Sequence, residues 1–329
     1  MNPDVSLIHV NDTVPGLARK RNGSGFIYLD TKGRRVNAAA TLARIRALAI
    51  PPAWRHVWIS TSARAHLQAT GRDARGRKQF RYHAAFRAAQ DEHKFAHLAA
   101  FADVLPKIRR AVARDLRLPG LPRAKVLATV VHLLETTLIR VGNADYARAN
   151  KSFGLTTLRD AHVAVNGSAL KFHFKGKSGK VWRLAVTDRR VAKTVRACQE
   201  LPGQHLFQYR DDDGVRHAIS SNDVNAYLRA VSGRDITAKE FRTWAGTVLC
   251  AAALKAGAPP ASEAAANRTI KAAVAAVAER LGNTVAICRK CYVHPAVIDA
   301  YSASRRLPRR RIPGLRADEA AVLTLLRAA

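Results

Sequence analysis

The chain has 329 residues, and its 56 Lys and Arg against 24 Asp and Glu leave a formal charge of +32 distributed along the whole length. That excess is far beyond what solubility requires and points to a polyanionic partner, while 48% hydrophobic residues exclude disorder throughout and the length favours about two domains. No apolar run approaches the roughly 20 residues of a membrane-spanning helix, and four unevenly placed cysteines do not make a secreted disulfide framework.

The first segment, MNPDVSLIHVND, lacks a charged stretch followed by an apolar one, so an intracellular, cytoplasmic chain in a reducing compartment is expected. Residues 1 to about 83 mix strand-like pieces, Gly25 to Leu29 and Val57 to Ser60, with turn signals at Asn22-Gly23 and Lys32-Gly33 and one helical stretch from Asn37 to Ala49. This reads as a small sheet-containing domain. From Ala84 the pattern turns helical, which sets a boundary near residue 90 and predicts domains 1–90 and 91–329.

In the second domain, Leu127, Val130, Val131, Leu134, Leu138 and Val141 recur at three- and four-residue steps. They predict one helix with a buried stripe, stopped by Gly142 and carrying Arg140 at its end. Three alternating segments follow, His162 to Val165, Leu170 to Phe174 and Val181 to Val186, which predict an antiparallel meander with Lys177 in its second turn. Asp211-Asp-Asp-Gly214 marks a further turn. Thr237 and Glu240 have capping-box spacing, so a helix starts there, carries Arg242 and runs to Gly257. Ala-rich and amphipathic helices are expected at about Arg268 to Leu281 and Ala317 to Leu326, separated by an exposed basic segment from Arg305 through Arg309 to Arg311.

Cleaving a phosphodiester calls for a nucleophile, cations around the nonbridging oxygens and an acid for the departing alkoxide. Tyr292, the pair Arg140 and Arg242 with Asn283, and Lys177 suit those roles in that order. A rigid guanidinium matches phosphate bidentately, and Arg289 and Lys290 flank the tyrosine in sequence. Each residue alone has a bland explanation: a helix-terminal arginine, a solvated lysine turn, a packing tyrosine. Cys288-Arg-Lys-Cys291 has zinc-compatible spacing but no second ligand pair, so no metal is expected.

The ordered set resembles the type IB DNA topoisomerases, in particular the compact group of poxviruses and bacteria, over nearly the whole chain. Ala49-Ile-Pro-Pro-Ala-Trp54 and the run from Thr70 to His83 are similar to that group's first-domain signatures; the Ile-Arg-Val-Gly-Asn around Arg140, Gly176-Lys177, Lys239 to Trp244, and Asn283 nine residues before Tyr292 are similar to its catalytic motifs. The resemblance implies an α+β fold: a β-rich N-terminal domain and a larger, mainly α catalytic domain with a three-stranded sheet, forming a monomeric clamp around duplex DNA. It implies that Tyr292 attacks one strand to leave a 3′-phosphotyrosyl bond, that the strand swivels and rejoins without ATP, metal or other cofactor, and that the enzyme works at the nucleoid. Arg140, Arg242 and Asn283 would stabilise the transition state, and Lys177 would protonate the 5′ oxygen. Many family members have His where Asn283 stands; an amide donates a hydrogen bond but carries no charge. Part of the family has Lys before Tyr146, where this chain has Asp145.

Arg75, Arg77, Lys78, Gln79, Arg81 and Tyr82 are expected to contact DNA, with phosphate and base-edge contacts divided among them, and Tyr146 joins them by the resemblance. Two other readings compete. A tyrosine recombinase shares the arginines, lysine and tyrosine, but generally has His three residues before the second arginine, where this chain has Lys239, and lacks such a first domain. A non-catalytic basic DNA-binding protein accounts for the charge and leaves the ordered five residues unexplained.

Overall fold

The computed structural model describes residues 6–257, 260–308 and 310–328; Arg309 of the basic segment lies outside the described residues. The chain divides into two compact units, Met1–Phe95 and Ala96–Ala329.

The first unit is built on a five-stranded antiparallel sheet. In chain order its elements are β1 (Leu17–Asn22), β2 (Gly25–Leu29), α1 (Ala39–Ala47), β3 (Arg55–Ile59), β4 (Leu67–Arg72) and β5 (Lys78–Tyr82), and the strands lie in the order β2-β1-β3-β4-β5. Alternation sends Leu17, Val57, Ile59 and Ala69 to one buried cluster, where they meet Ile45 of α1. Arg19 gathers the loop from Ile50 to Trp54 by donating to the carbonyls of Ile50, Pro51 and Trp54. The basic run after Thr70 is a hairpin: Asp73 closes the turn by accepting from the main-chain N–H of Arg75 and Arg77, and β5 forms the edge of the sheet. Charged edge strands resist pairing with other chains, and they also obscure the alternation that would reveal them in sequence.

A 32-residue helix, α2 (Ala84–Asp115), crosses the division between the units. Within the second unit it buries Leu98, Phe101, Leu105, Ile108 and Val112, spaced by three and four residues. There follow α3 (Arg123–Thr137), α4 (Ala144–Asn150), the antiparallel meander β6 (Val163–Asn166), β7 (Ala169–Lys175) and β8 (Val181–Thr187), and α5 (Arg189–Gln199). A small hairpin, β9 (Gln208–Arg210) and β10 (Arg216–Ala218), turns at Gly214 (φ 75°). The remainder is helical: α6 (Ser221–Ser232), α7 (Ala238–Ala256), α8 (Glu263–Leu281), α9 (Val285–Cys291), α10 (Pro295–Ser302) and α11 (Ala317–Ala328). α7 is central, packing on α3, α6, α8, α10 and α11; its capping box at Thr237 and Glu240 is formed. α8 starts five residues before Arg268, because Ser262 caps it by accepting from Ala265 N.

The expected course of α3 is corrected. The helix ends at Thr137, and Leu138, not Gly142, supplies the left-handed cap (φ 59°, ψ 18°). Thr137 Oγ1 accepts from Ile139 N at 3.2 Å and donates to Leu133 O, so a side chain takes over the hydrogen bonds of the final turn. Arg140 and Val141 therefore lie in a loop beyond the helix.

Arg109 joins α2, α3 and α11, donating to Glu135 and to both carboxylate oxygens of Glu319 at 2.6–2.9 Å. Burial alone would raise the Glu319 carboxyl, but the Arg109 hydrogen bonds outweigh it and hold the group below the usual range. A lowered carboxyl pKa stabilises the fold above the unfolded value and ceases to do so as pH falls through the folded value. Glu319→Gln is therefore expected to cost about 2 kcal/mol at neutral pH and to reduce the loss of stability on acidification, both read from thermal melts across that range.

Candidate active site

The loop after α3 is tied by main-chain hydrogen bonds to the segment that begins at Leu155. Leu155 N donates to Arg140 O at 2.9 Å and Thr156 N to Val141 O at 2.7 Å. This approach requires glycine at 154, where a Cβ would lie 2.5 Å from Arg140 O. Arg140 thus projects from a fixed backbone, and its Nη2 donates to Asn283 Oδ1.

Arg242 comes from the second turn of α7 and is only 4% exposed. Its Nη1 donates to Leu138 O and its Nη2 to Leu281 O, the latter at 2.6 Å. Both acceptors sit at helix C-termini, where main-chain carbonyls lack intrahelical partners and carry the negative end of the helix dipole. Four residues on, Gly246 lies on the same face of α7. A Cβ there would fall 2.5 Å from Tyr292 O, so the glycine admits the tyrosine's backbone against the helix. Thr247 Oγ1 accepts from His294 N at 3.1 Å and lies 3.3 Å from Tyr292 O. Tyr292 itself caps α9, with its ring centroid 5.2 Å from Arg242 Cζ.

Asn283 follows α8 directly after the left-handed cap Gly282 (φ 64°), and its N–H donates to Ala278 O at 2.9 Å. With Oδ1 occupied by Arg140, its Nδ2 is buried without a hydrogen-bond partner; Arg242 Nε is in the same condition. Arg242 still engages the Tyr292 side chain by a hydrogen bond through another part of its guanidinium, so the two atoms left over are its Nε and Asn283 Nδ2.

The electrostatics are one-sided. Burial, and after it the charge of Arg140, lowers the Arg242 guanidinium, which stays protonated near neutrality. Burial would raise the Tyr292 phenol, yet Arg242 and then Arg140 outweigh it and hold the phenol below its ordinary value. Four of the five residues singled out from the sequence, Arg140, Arg242, Asn283 and Tyr292, are thereby brought together.

Lys177 stands apart from these contacts. It is exposed in the β7–β8 turn, with Nζ 6.0 Å from the ring centroid of Tyr146. Tyr146 lies in the first turn of α4, where Asn143 Oδ1 accepts from its N–H at 2.8 Å. The neighbouring Asp145 pairs with Arg148 at 2.7 Å on the surface.

The residues expected to contact DNA are split by strand alternation. Lys78 and Tyr82 share one face of β5 with Phe80; Phe80 is 46% and Tyr82 38% exposed, and their rings stack 6.0 Å apart. Lys78 pairs with Asp12 at 2.6 Å, and that hydrogen bond holds the Asp12 carboxyl below its usual range. Gln79 and Arg81 lie on the other face: Gln79 Nε2 donates to Asp73 at 3.0 Å, while Arg81 donates to Ala49 O and covers the Trp54 ring. Arg77 also pairs with Asp73, at 2.7 Å, and Arg75 is exposed at the turn. Gly246 and Thr247 were not singled out from the sequence. A glycine inside a strong helix, one turn after Arg242, is the signal that marks Gly246.

Cys288 and Cys291 are both free thiols, and burial pushes the Cys288 thiol up to about 11. Among the described residues no group of three or more His, Cys, Asp or Glu is placed to share a metal ion.

The family model described as eukaryotic DNA topoisomerase I, catalytic core, matches residues 83–313. A second, bacterial DNA topoisomerase IB, N-terminal domain, matches residues 25–73. The chain is 30% identical over 293 residues, 87% of each chain, to "DNA topoisomerase 1B" of Acanthamoeba polyphaga mimivirus.

Removing the cations should restore the phenol's dependence on burial. Arg242→Ala is expected to raise the Tyr292 pKa, and Arg140→Ala to raise it by less. Ultraviolet difference titration against Tyr292→Phe measures both; an unchanged phenol in Arg242→Ala would contradict the electrostatic account.

Proposed function

The chain belongs to the type IB DNA topoisomerases, and from that premise we propose that it relaxes supercoiled DNA through a transient 3′-phosphotyrosyl break in one strand. The observation that supports the mechanism is a Tyr292 phenol hydrogen-bonded to Arg242 and lowered by Arg242 and Arg140, with Arg140 in turn bonded to Asn283. Tyr292 Oη attacks the phosphorus as the P–O5′ bond breaks, and its phenolic proton passes to solvent. Arg140, Arg242 and Asn283 donate to the nonbridging oxygens as negative charge builds there. Lys177 delivers a proton to O5′, after which the broken strand swivels and the 5′-hydroxyl reverses the step. The phosphotyrosyl bond conserves the phosphodiester's free energy, so resealing draws on no nucleotide or other cofactor.

The domain division proposed from the sequence, 1–90 and 91–329, gives each part a task. The two close around duplex DNA as a monomeric clamp, with Arg75, Lys78 and Tyr82 touching the duplex directly. Gln79, Arg77 and Arg81 contribute through a hairpin held by Asp73 and Ala49 O. Tyr146 adds a contact beside Lys177. A charge of +32 supports binding through phosphate neutralisation and work at the nucleoid. No helix among the described residues is long and apolar enough to cross a membrane.

Plasmid relaxation in EDTA without ATP tests the function: a ladder of relaxed topoisomers with no partner site is expected, whereas a recombinase or a non-catalytic DNA binder yields none. Tyr292→Phe removes only the nucleophilic oxygen, so covalent adduct and relaxation should vanish while DNA binding survives. Residual relaxation by that variant would assign the nucleophile elsewhere.

Lys177 is tested through the leaving group. An alkoxide needs a proton, whereas a thiolate, with a thiol pKa of about 8.5, leaves without one. Lys177→Ala is expected to cleave ordinary DNA about 10²- to 10⁴-fold more slowly and to recover most of that loss on DNA carrying sulfur at the 5′ bridging position. Arg242→Ala should not recover comparably. Failure of sulfur to rescue Lys177→Ala would remove the lysine from the role of acid.

A further inference from the structure

The indole of Trp182 occupies the space between the Lys177 turn and the exit of α8. Trp182 belongs to β8 and is 9% exposed, with its ring stacked on Phe174 of β7 at 6.2 Å and 3°. Two glycines accommodate its two ends. A Cβ at Gly176 would lie 2.6 Å from Nε1, and a Cβ at Gly282 would lie 2.8 Å from Cζ2. Gly176 immediately precedes Lys177, and Gly282 immediately precedes Asn283. One side chain thus touches the backbone neighbours of both residues. Lys180 reinforces the join from the far side of the turn: its Nζ donates to Glu279 O at 3.3 Å, in the last turn of α8.

The turn needs such an anchor. Residues 177–180 are exposed, and Ser178 adopts a left-handed conformation (φ 63°). Within the turn, the main-chain bonds Gly176 N to Lys180 O and Gly179 N to Gly176 O fix its shape. Among these contacts, the indole and Lys180 are what tie the turn to the end of α8. We infer that Trp182 is a positioning residue that holds the Lys177 turn against the α8 exit beside Asn283 and so sets where the lysine's proton can be delivered. This rests on the reading of Lys177 as the acid. It follows from geometry that a small displacement of an acid is costly, since about 1 Å of misplacement slows a reaction on the order of 100-fold.

The test separates positioning from general structural support. Cleavage by Trp182→Ala, Lys177→Ala and the double variant is measured on ordinary DNA and on DNA with sulfur at the 5′ bridging position. Melting and DNA affinity are followed alongside. Trp182→Ala is expected to slow cleavage of ordinary DNA about 10- to 100-fold, to regain most of the loss on the sulfur substrate, and to add little to Lys177→Ala. Equal losses on both substrates, no loss on either, or an additive loss in the double variant would overturn the positioning role while leaving a rescued Lys177→Ala intact. A Lys177→Ala that sulfur does not rescue brings down the acid reading, and this inference with it. Should Trp182→Ala not fold, Trp182→Phe, whose smaller ring withdraws from Gly282, must show the same selective rescue at lower amplitude; loss without rescue refutes the inference.

Discussion

Arg242 is a buried cation that no carboxylate among the described residues neutralises. An unpaired buried charge is expensive, and here two main-chain carbonyls, Leu138 O and Leu281 O, offset that cost. Both belong to helix C-termini, so the guanidinium lies at the negative ends of α3 and α8 together. Dipoles solvate a charge without cancelling it. A carboxylate in the same place would have left a neutral ion pair, whereas this arrangement keeps a net positive charge available to a phosphate.

The same contact sets the distances between the other residues. Arg140 is two residues beyond Leu138, and Asn283 is two beyond Leu281. By drawing the two carbonyls onto one guanidinium, Arg242 brings the chains that follow them close enough for Arg140 to donate to Asn283. Gly246, on the same face of α7, then seats Tyr292 over Arg242. The site is an assembly of helix ends around one side chain, which accounts for why its members are dispersed over nearly half of the sequence.

The parts of this fold that local chemistry dictates were legible before the structure. The capping box at Thr237, the meander with its two turns and the Ala-rich helix before Asn283 all follow from short-range patterns. The end of α3 was not legible. Apolar spacing continues smoothly through Leu138 and Val141, and no glycine or proline marks the break at Thr137. The interruption is made by Thr137's own hydroxyl and by a carbonyl turned toward Arg242, a residue from a distant helix. β5 was hidden for a different reason. Its inward positions carry Gln79 and Arg81, whose partners Asp73, Ala49 O and Trp54 replace the apolar contacts a strand pattern advertises. Composition alone could not separate an arginine that grips its own loop from one that faces solvent.

The burial of the site cations matches the roles proposed for them. Stabilising charge on nonbridging oxygens calls for a donor that is always protonated and geometrically rigid; burial lowers Arg242 without bringing a guanidinium near neutrality, so it tolerates the interior. Moving a proton calls for the opposite: a group that can release it and exchange it with water. Lysine would lose its charge readily if buried as deeply as Arg242, and Lys177 instead stands exposed on a turn with its ammonium over Tyr146. Under the proposed roles, fixed charge would sit in the core and proton transfer at the surface. The arrangement then depends on the turn being held in register with the core, since an exposed lysine gains reach by losing the packing that would otherwise fix it.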